Sequence, residues 1–398
     1  MNRRYNNNRR RPSGGQNQRF SQSRGQKRGM VSTIHASQLT QKAVAVQEEV
    51  AYVAHHEFKD FPLTNQLQQN IKVKGYTSPT AIQDEAISHI LNGRDIIGIA
   101  NTGTGKTAAF LIPLVNKVFK DRSEKVLIVA PTRELAVQIL DEFRAFAQGM
   151  GMHATLCIGG TNMGRQRADL KMKPNFIIGT PGRLKDLINQ RGINLQEFHT
   201  VVLDEADLMV DIGFIHDIKF FIGLLPHDRQ SLFFSATISG KVKEIMEQFV
   251  HNPVSVSVKQ QETSENVEQS VIKVDSQNKK IDQLHDLLIK DEFSKVLIFG
   301  RTKWSVQKLS NELVRRGFRA DAIHGNKKQN QRQRTLDRFK KNEINILLAT
   351  DVASRGLDID NVSHVINYDM PASYEDYVHR IGRTGRANKR GIALTFVD

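Results

Sequence analysis

Short, uniformly apolar runs alternate with longer stretches whose apolar positions recur at helical spacing along most of this chain. Runs at 96–99, 126–130, 176–179, 201–203 and 232–234 are rich in Val, Ile, Leu and Phe and show no polar alternation. That pattern predicts strands covered on both faces, as in a parallel sheet clad with helices, rather than strands with one wet side. A second series at 296–299, 346–349 and 365–367 repeats the theme. Two α/β units are predicted, and the polar Gln/Glu/Ser-rich interval 259–266, which has no apolar periodicity, is predicted to link them. The halves also echo each other: Lys125-Val126-Leu127-Ile128 leads to Thr132-Arg133, and Lys295-Val296-Leu297-Ile298 leads to Thr302-Lys303, at the same offset. A repeated strand-and-loop unit of this kind puts a hydroxyl and a cation at the same edge of each sheet.

The first 47 residues break the pattern. They contain eight Arg and two Lys with no acid before Glu48, and thus carry ten of the fifteen net positive charges. The first thirty are mostly Asn, Gln, Gly, Ser and Arg, a composition that cannot bury enough apolar surface to form a core. The segment 1–47 is therefore expected to be a disordered basic tail. With Tyr5 and Phe20 among its charges, it suits sequence-tolerant attachment to RNA by charge and stacking, and it equally suits a solubilising role.

Chemistry enters at the ends of the predicted strands. After the run 96–99 comes Ala100-Asn101-Thr102-Gly103-Thr104-Gly105-Lys106-Thr107, followed by an apolar helical stretch. A glycine loop between strand and helix lets successive N–H groups turn inward on phosphate oxygens at a helix N-terminus. Thr102, Gly103, Thr104 and Gly105 form the cradle, Lys106 reaches the β- and γ-phosphates, and the Thr107 hydroxyl binds Mg²⁺. The run 201–203 ends in Asp204-Glu205-Ala206-Asp207. Carboxylates at the carboxyl end of a buried strand lie where open α/β sheets keep their ligands. Phosphoryl-transfer chemistry then assigns Asp204 to Mg²⁺, through water, and Glu205 to orienting the attacking water. Asp207 is open between a catalytic role and a hydrogen bond to a neighbouring strand. Ser235 and Thr237, closing the run Phe233-Phe234-Ser235-Ala236-Thr237, are placed to relay the state of the acids.

These motifs resemble, in order from Phe58 to Phe396, those of the DEAD-box RNA helicases of superfamily 2. The resemblance implies two tandem RecA-like P-loop domains with parallel sheets flanked by helices, here 48–258 and 267–398. Gly75-Tyr76-Thr77-Ser78-Pro79-Thr80-Ala81-Ile82-Gln83 looks like the family's Q motif, with Phe58 seventeen positions before Gly75. By resemblance, Gln83 reads the adenine edge and Phe58 offers a stacking face. Thr132, Arg133, Gly160, Thr180 and Arg183 match RNA-binding motifs of the first domain, and Thr302, Arg332 and Thr350 those of the second. Within His379-Arg380-Ile381-Gly382-Arg383-Thr384-Gly385-Arg386, the resemblance makes Arg383 and Arg386 arginine fingers for the γ-phosphate and His379 a coupling residue. Asp358 is implied as a ribose ligand. Asn326-Lys327-Lys328 is more basic than usual for the family, and Ser354 and Gly300-Arg301 also depart from it.

An RNA-stimulated ATPase that unwinds short RNA duplexes or remodels RNA–protein complexes is therefore expected, using ATP and Mg²⁺. A nucleotide-gated clamp without unwinding and a translocating motor are the competing readings. Composition narrows the setting further. One cysteine, Cys157, excludes an intramolecular disulfide and suits a reducing cytoplasm, and no apolar run is long enough to span a membrane. The chain stops soon after its last apolar run, so targeting is expected from the basic arm or from partners.

Overall fold

The computed structural model describes residues 39–40, 52–101, 103–258, 266–274, 279–354, 359, 362–385 and 390–397. Seven strands form the first sheet: β1 (Ile96–Ile99), β2 (Val126–Val129), β3 (Ala154–Cys157), β4 (Phe176–Gly179), β5 (Thr200–Leu203), β6 (Gln230–Ser235) and β7 (Val254–Ser257). Their order is β3-β4-β2-β5-β6-β1-β7, with every pairing parallel. Six strands form the second: β8 (Val267–Lys273), β9 (Val296–Phe299), β10 (Ala320–Ile323), β11 (Ile346–Ala349), β12 (His364–Asn367) and β13 (Gly391–Val397). These are also parallel throughout, in the order β10-β11-β9-β12-β13-β8.

The central strands are buried on both sides, which is why their sequences lack alternation. Successive side chains enter different cores. Ile96, Ile128 and Val202 pack with the helices Ala81–Leu91, Lys106–Lys120 and Arg133–Phe146, whereas Ile97, Leu127 and Val201 pack beneath the opposite layer. The second sheet is sandwiched in the same way, with Val296 and Ile298 facing one core and Leu297 and Phe299 the other.

Strand order explains the division of labour. The phosphate loop and the acids follow β1 and β5, and Ser235 ends β6; these three strands are neighbours in the sheet. Thr132, Gly160 and Thr180 follow β2, β3 and β4, which fill the other side. In the second sheet, Thr302, His324 and Thr350 follow the adjacent strands β9, β10 and β11.

Of the predicted tail, all but Leu39 and Thr40 lies outside the described residues, as does 259–265 of the predicted linker. Leu39 departs from the expectation of an uncollapsed tail. It is fully buried among Val267, Tyr377, Ile381 and Ala393, at the edge of the second sheet under the helix Tyr374–Ile381. The scattered apolar residues around Leu39 show no sustained periodicity, so its anchoring is invisible to pattern analysis.

Candidate functional site

Two glycines shape the phosphate loop. Gly103 and Gly105 have φ of 88° and 93°, in the left-handed region that side chains rarely adopt. A Cβ on Gly105 would stand 2.4 Å from Gln83 Nε2, so no larger residue fits beside that amide. Lys106 and Thr107 open the helix Lys106–Lys120, whose unpaired N–H groups face the loop. Lys106 is buried and its Nζ donates to the Ala100 carbonyl at 2.7 Å, while Thr104 Oγ1 donates to the Asn101 carbonyl at 2.8 Å. Thr102 lies outside the described residues.

Gln83 is fully buried and ties two motifs together. Its Oε1 accepts from Thr80 N at 3.0 Å and its Nε2 donates to the Gly105 carbonyl at 3.1 Å. The glutamine expected to read a base thus also holds the phosphate loop. Phe58 differs from expectation. Its ring packs in the core of the first domain, edge-on to Tyr76 at 6.1 Å and near Phe61, rather than offering an open face.

The acids follow β5, where Asp204 N donates to the Val129 carbonyl at 3.0 Å. Glu205 adopts φ of 52°, an uncommon conformation for a residue with a side chain and one that tends to mark functional sites. It redirects the chain into the helix Ala206–Ile212, with Glu205 N donating to Asp204 Oδ1 at 3.0 Å. Burial pushes the Asp204 carboxyl up to about 7, opposed by the charge of Lys106 and reinforced by Glu205 and Asp207. Asp204 at the end of β5 and Thr107 in the first turn of the helix after β1 offer a carboxylate and a hydroxyl, hard oxygen donors of the kind that suits a small divalent cation such as Mg²⁺.

Asp207 resolves toward the bridging role. Its Oδ2 accepts from the backbone N–H groups of Ala236 and Thr237 at 3.1 and 2.9 Å and from Thr237 Oγ1 at 3.2 Å. In return, Ser235 Oγ accepts from Asp207 N at 3.3 Å and donates to the Thr237 carbonyl at 2.7 Å. The acid loop and the end of β6 are therefore tied together by hydrogen bonds.

On the other half of the sheet edge, cations gather. The Arg133 guanidinium lies against Gly159 and Gly160; a Cβ on Gly160, whose φ is 77°, would come within 2.3 Å of Arg133 Nη1. Burial, together with the charges of Arg332 and Arg183, holds the Arg133 pKa below its usual value. Arg183 donates to Gln166 Oε1 at 2.9 Å and follows Thr180, the cap of the helix Pro181–Asn189. Arg133 and Arg183 thus stand at one edge as guanidinium groups of the kind that binds phosphate oxygens.

What crosses between the sheets escapes a reading of the sequence. Glu134 Oε1 accepts from Arg332 Nε at 2.7 Å and from Gln329 Nε2 at 3.1 Å, all three side chains being buried. This bridge joins the helix after β2 to the helix Gln329–Lys340 of the second domain. Arg380 is a second omission. Its guanidinium holds Asp351 at 2.5 and 2.8 Å, Asn367 Oδ1 at 3.1 Å and the Asp369 carbonyl at 2.7 Å. It thereby locks the loop after Thr350 to the helix bearing His379, and Arg383 follows that helix in a buried position. The only signal for either bridge was the presence of opposite charges inside the motifs. Thr302 caps the helix Lys303–Arg315, accepting from Ser305 N at 3.0 Å. Asp358 and Arg386 lie outside the described residues.

Comparisons with known proteins show the family. A family profile described as DEAD/DEAH box helicase matches residues 80–245, and one described as helicase conserved C-terminal domain matches 279–388. The DEAD-box ATP-dependent RNA helicase CshA of Bacillus licheniformis is 46% identical over 342 residues, covering 85% of this chain and 70% of the relative. The Bacillus subtilis protein of that name is 45% identical, covering 85% and 69%. Among solved structures, Saccharomyces cerevisiae Dbp5 bound to RNA and ADP BeF3 is 30% identical, with a TM-score of 0.75 over 86% of this chain and 89% of that one. A DEAD box protein from Methanococcus jannaschii is 37% identical but superposes with a TM-score of only 0.50, over 87% and 94%.

Proposed function

The chain belongs to the DEAD-box family of ATP-dependent RNA helicases, and from that premise we propose how its own residues divide the work. RNA is its partner and ATP hydrolysis its fuel; no described helix is long and apolar enough to cross a membrane. We assign the domains to 48–258 and 267–398, joined by 259–266.

Thr102, Gly103, Thr104, Gly105 and Lys106 hold the phosphates, while Gln83 serves the adenine side. Thr107 and Asp204 hold Mg²⁺, which when bound neutralises phosphate charge. Glu205 orients and deprotonates the attacking water. Arg383 and Arg386 bring positive charge to the γ-phosphate from the second domain, with Asp358 on the ribose. Thr132, Arg133, Gly160, Thr180 and Arg183 grip one part of the RNA backbone, and Thr302, Arg332 and Thr350 grip the next. Ser235, Thr237 and His379 couple the two events. A cytoplasmic location fits the RNA substrate and the lone buried thiol of Cys157.

One observation carries this reading: the buried Glu134 bridge to Gln329 and Arg332 brings the cationic edges of both domains together. RNA lying across both edges favours the joined arrangement, which in turn delivers the arginines. Such fingers are worth roughly 10³ to 10⁵ in rate at comparable sites. Because RNA and nucleotide both favour closure, each raises the other's affinity. Strand separation is then local, a consequence of gripping one strand. ATP-dependent release of one strand from a short RNA duplex, with little activity on a long one, is the expected result. Efficient unwinding of long duplexes would instead indicate a translocating motor, and no release at all a clamp.

A further inference from the structure

Trp304 is the only tryptophan in the chain and is 72% exposed. It is the second residue of the helix Lys303–Arg315, directly after Thr302 and Lys303 at the carboxyl end of β9. That helix faces its core with Val306, Leu309, Ser310 and Leu313. Trp304 precedes Val306 by two positions, which rotates it about 200° away from the core stripe. The indole is therefore not part of the packing of this helix.

Its surroundings are cationic and belong to the RNA edge. Lys303 Nζ lies 6.0 Å from the indole centroid and donates to Asn326 Oδ1 at 3.0 Å. Asn326 begins the basic Asn326-Lys327-Lys328 loop, and that loop leads into Gln329 and Arg332, which hold Glu134. The indole thus continues, along one edge, the line of cations that joins the two domains. Lys327 is committed to Asp321 at 2.6 Å, which fixes the loop beside β10.

We propose that Trp304 is a nucleobase-stacking platform that extends the backbone clamp by one base of single-stranded RNA. Backbone contacts at Thr302 and Arg332 carry no grip on bases; an exposed indole flanked by lysine supplies one, for any base, because every base has a π-face. The lysine contributes phosphate attraction next to the stacking face. This inference rests on the reading that the Thr302 edge meets RNA.

The sole tryptophan is its own reporter. The full chain is titrated with a single-stranded RNA oligomer in the presence of a non-hydrolysable ATP analogue, and with an oligomer of equal length whose nucleotides lack bases. Stacking predicts quenching of the indole fluorescence by the first oligomer and not by the abasic one. Trp304→Ala should weaken binding of the first by about 5- to 150-fold, bind the abasic oligomer as the parent does, and be largely rescued by Trp304→Phe. Unchanged fluorescence at saturating RNA, or unchanged affinity in Trp304→Ala while Thr302→Ala binds weakly, overturns the stacking role but leaves the edge intact. If Thr302→Ala and Trp304→Ala both bind RNA as the parent does, the edge reading itself fails, and the proposal with it.

Discussion

Glu205 shows how one residue acquires a role from its backbone. The left-handed φ that follows β5 turns the chain into a helix at Glu205, while Asp204 stays buried beside Lys106. Catalysis at such a site is chiefly positioning and charge compensation, so a neutral isostere of Glu205 keeps the shape and loses the base. Glu205→Gln is expected to bind ATP and RNA but to slow turnover by about 10²- to 10⁴-fold. Single-turnover hydrolysis measures this directly, and turnover at the parental rate removes Glu205 from the mechanism. The same scale explains what could be anticipated. The placement of Gly105, Lys106 and Asp204 at the ends of β1 and β5 follows from residue type and immediate context and was legible in the sequence. Phe58 was not, because whether an aromatic ring is open or packed depends on Phe61 and Tyr76, which come from different local structures.

Among the elements, strands and their order did most to arrange the site. Uniform apolar runs predicted buried parallel strands, and the sheets contain them, with short terminal offsets. What no periodicity discloses is neighbourhood: β1, β5 and β6 are adjacent although residues 96, 200 and 230 are far apart in the chain. The helix after β2 and the helix Gln329–Lys340 are bridged by Glu134, Gln329 and Arg332. Sequence showed these charges inside motifs but not that they pair. Removing one member of a buried pair leaves the other's charge desolvated, a loss of about 2–5 kcal/mol. Glu134→Ala is therefore expected to uncouple the domains. Its RNA affinity should respond much less to the ATP analogue than the parent's does, as read by equilibrium titration with and without nucleotide. Undiminished coupling would show that the bridge does not support closure.

Over the whole molecule, charge is distributed as unevenly as function. Residues 1–33 contain nine basic and no acidic residues, whereas Leu39 is seated on the second domain. Removing 1–33 therefore takes away much of the cationic arm without disturbing that anchor. For every phosphate that the arm no longer neutralises, the slope of log affinity against log salt becomes shallower by about 0.7 for single strands. A truncated chain with weaker RNA binding and a shallower slope supports an RNA-attaching arm, and an unchanged slope supports a solubilising one. Sequence alone could not distinguish these, since composition gives charge without saying what it touches.

On the proposed function, RNA lying across both domains completes a catalytic site that neither domain holds alone. Steady-state ATP hydrolysis with no nucleic acid, with single-stranded RNA, and with single-stranded DNA of the same sequence tests it most directly. Strong stimulation by RNA and little by DNA is the predicted result. Hydrolysis that ignores RNA, or answers DNA equally, would contradict it.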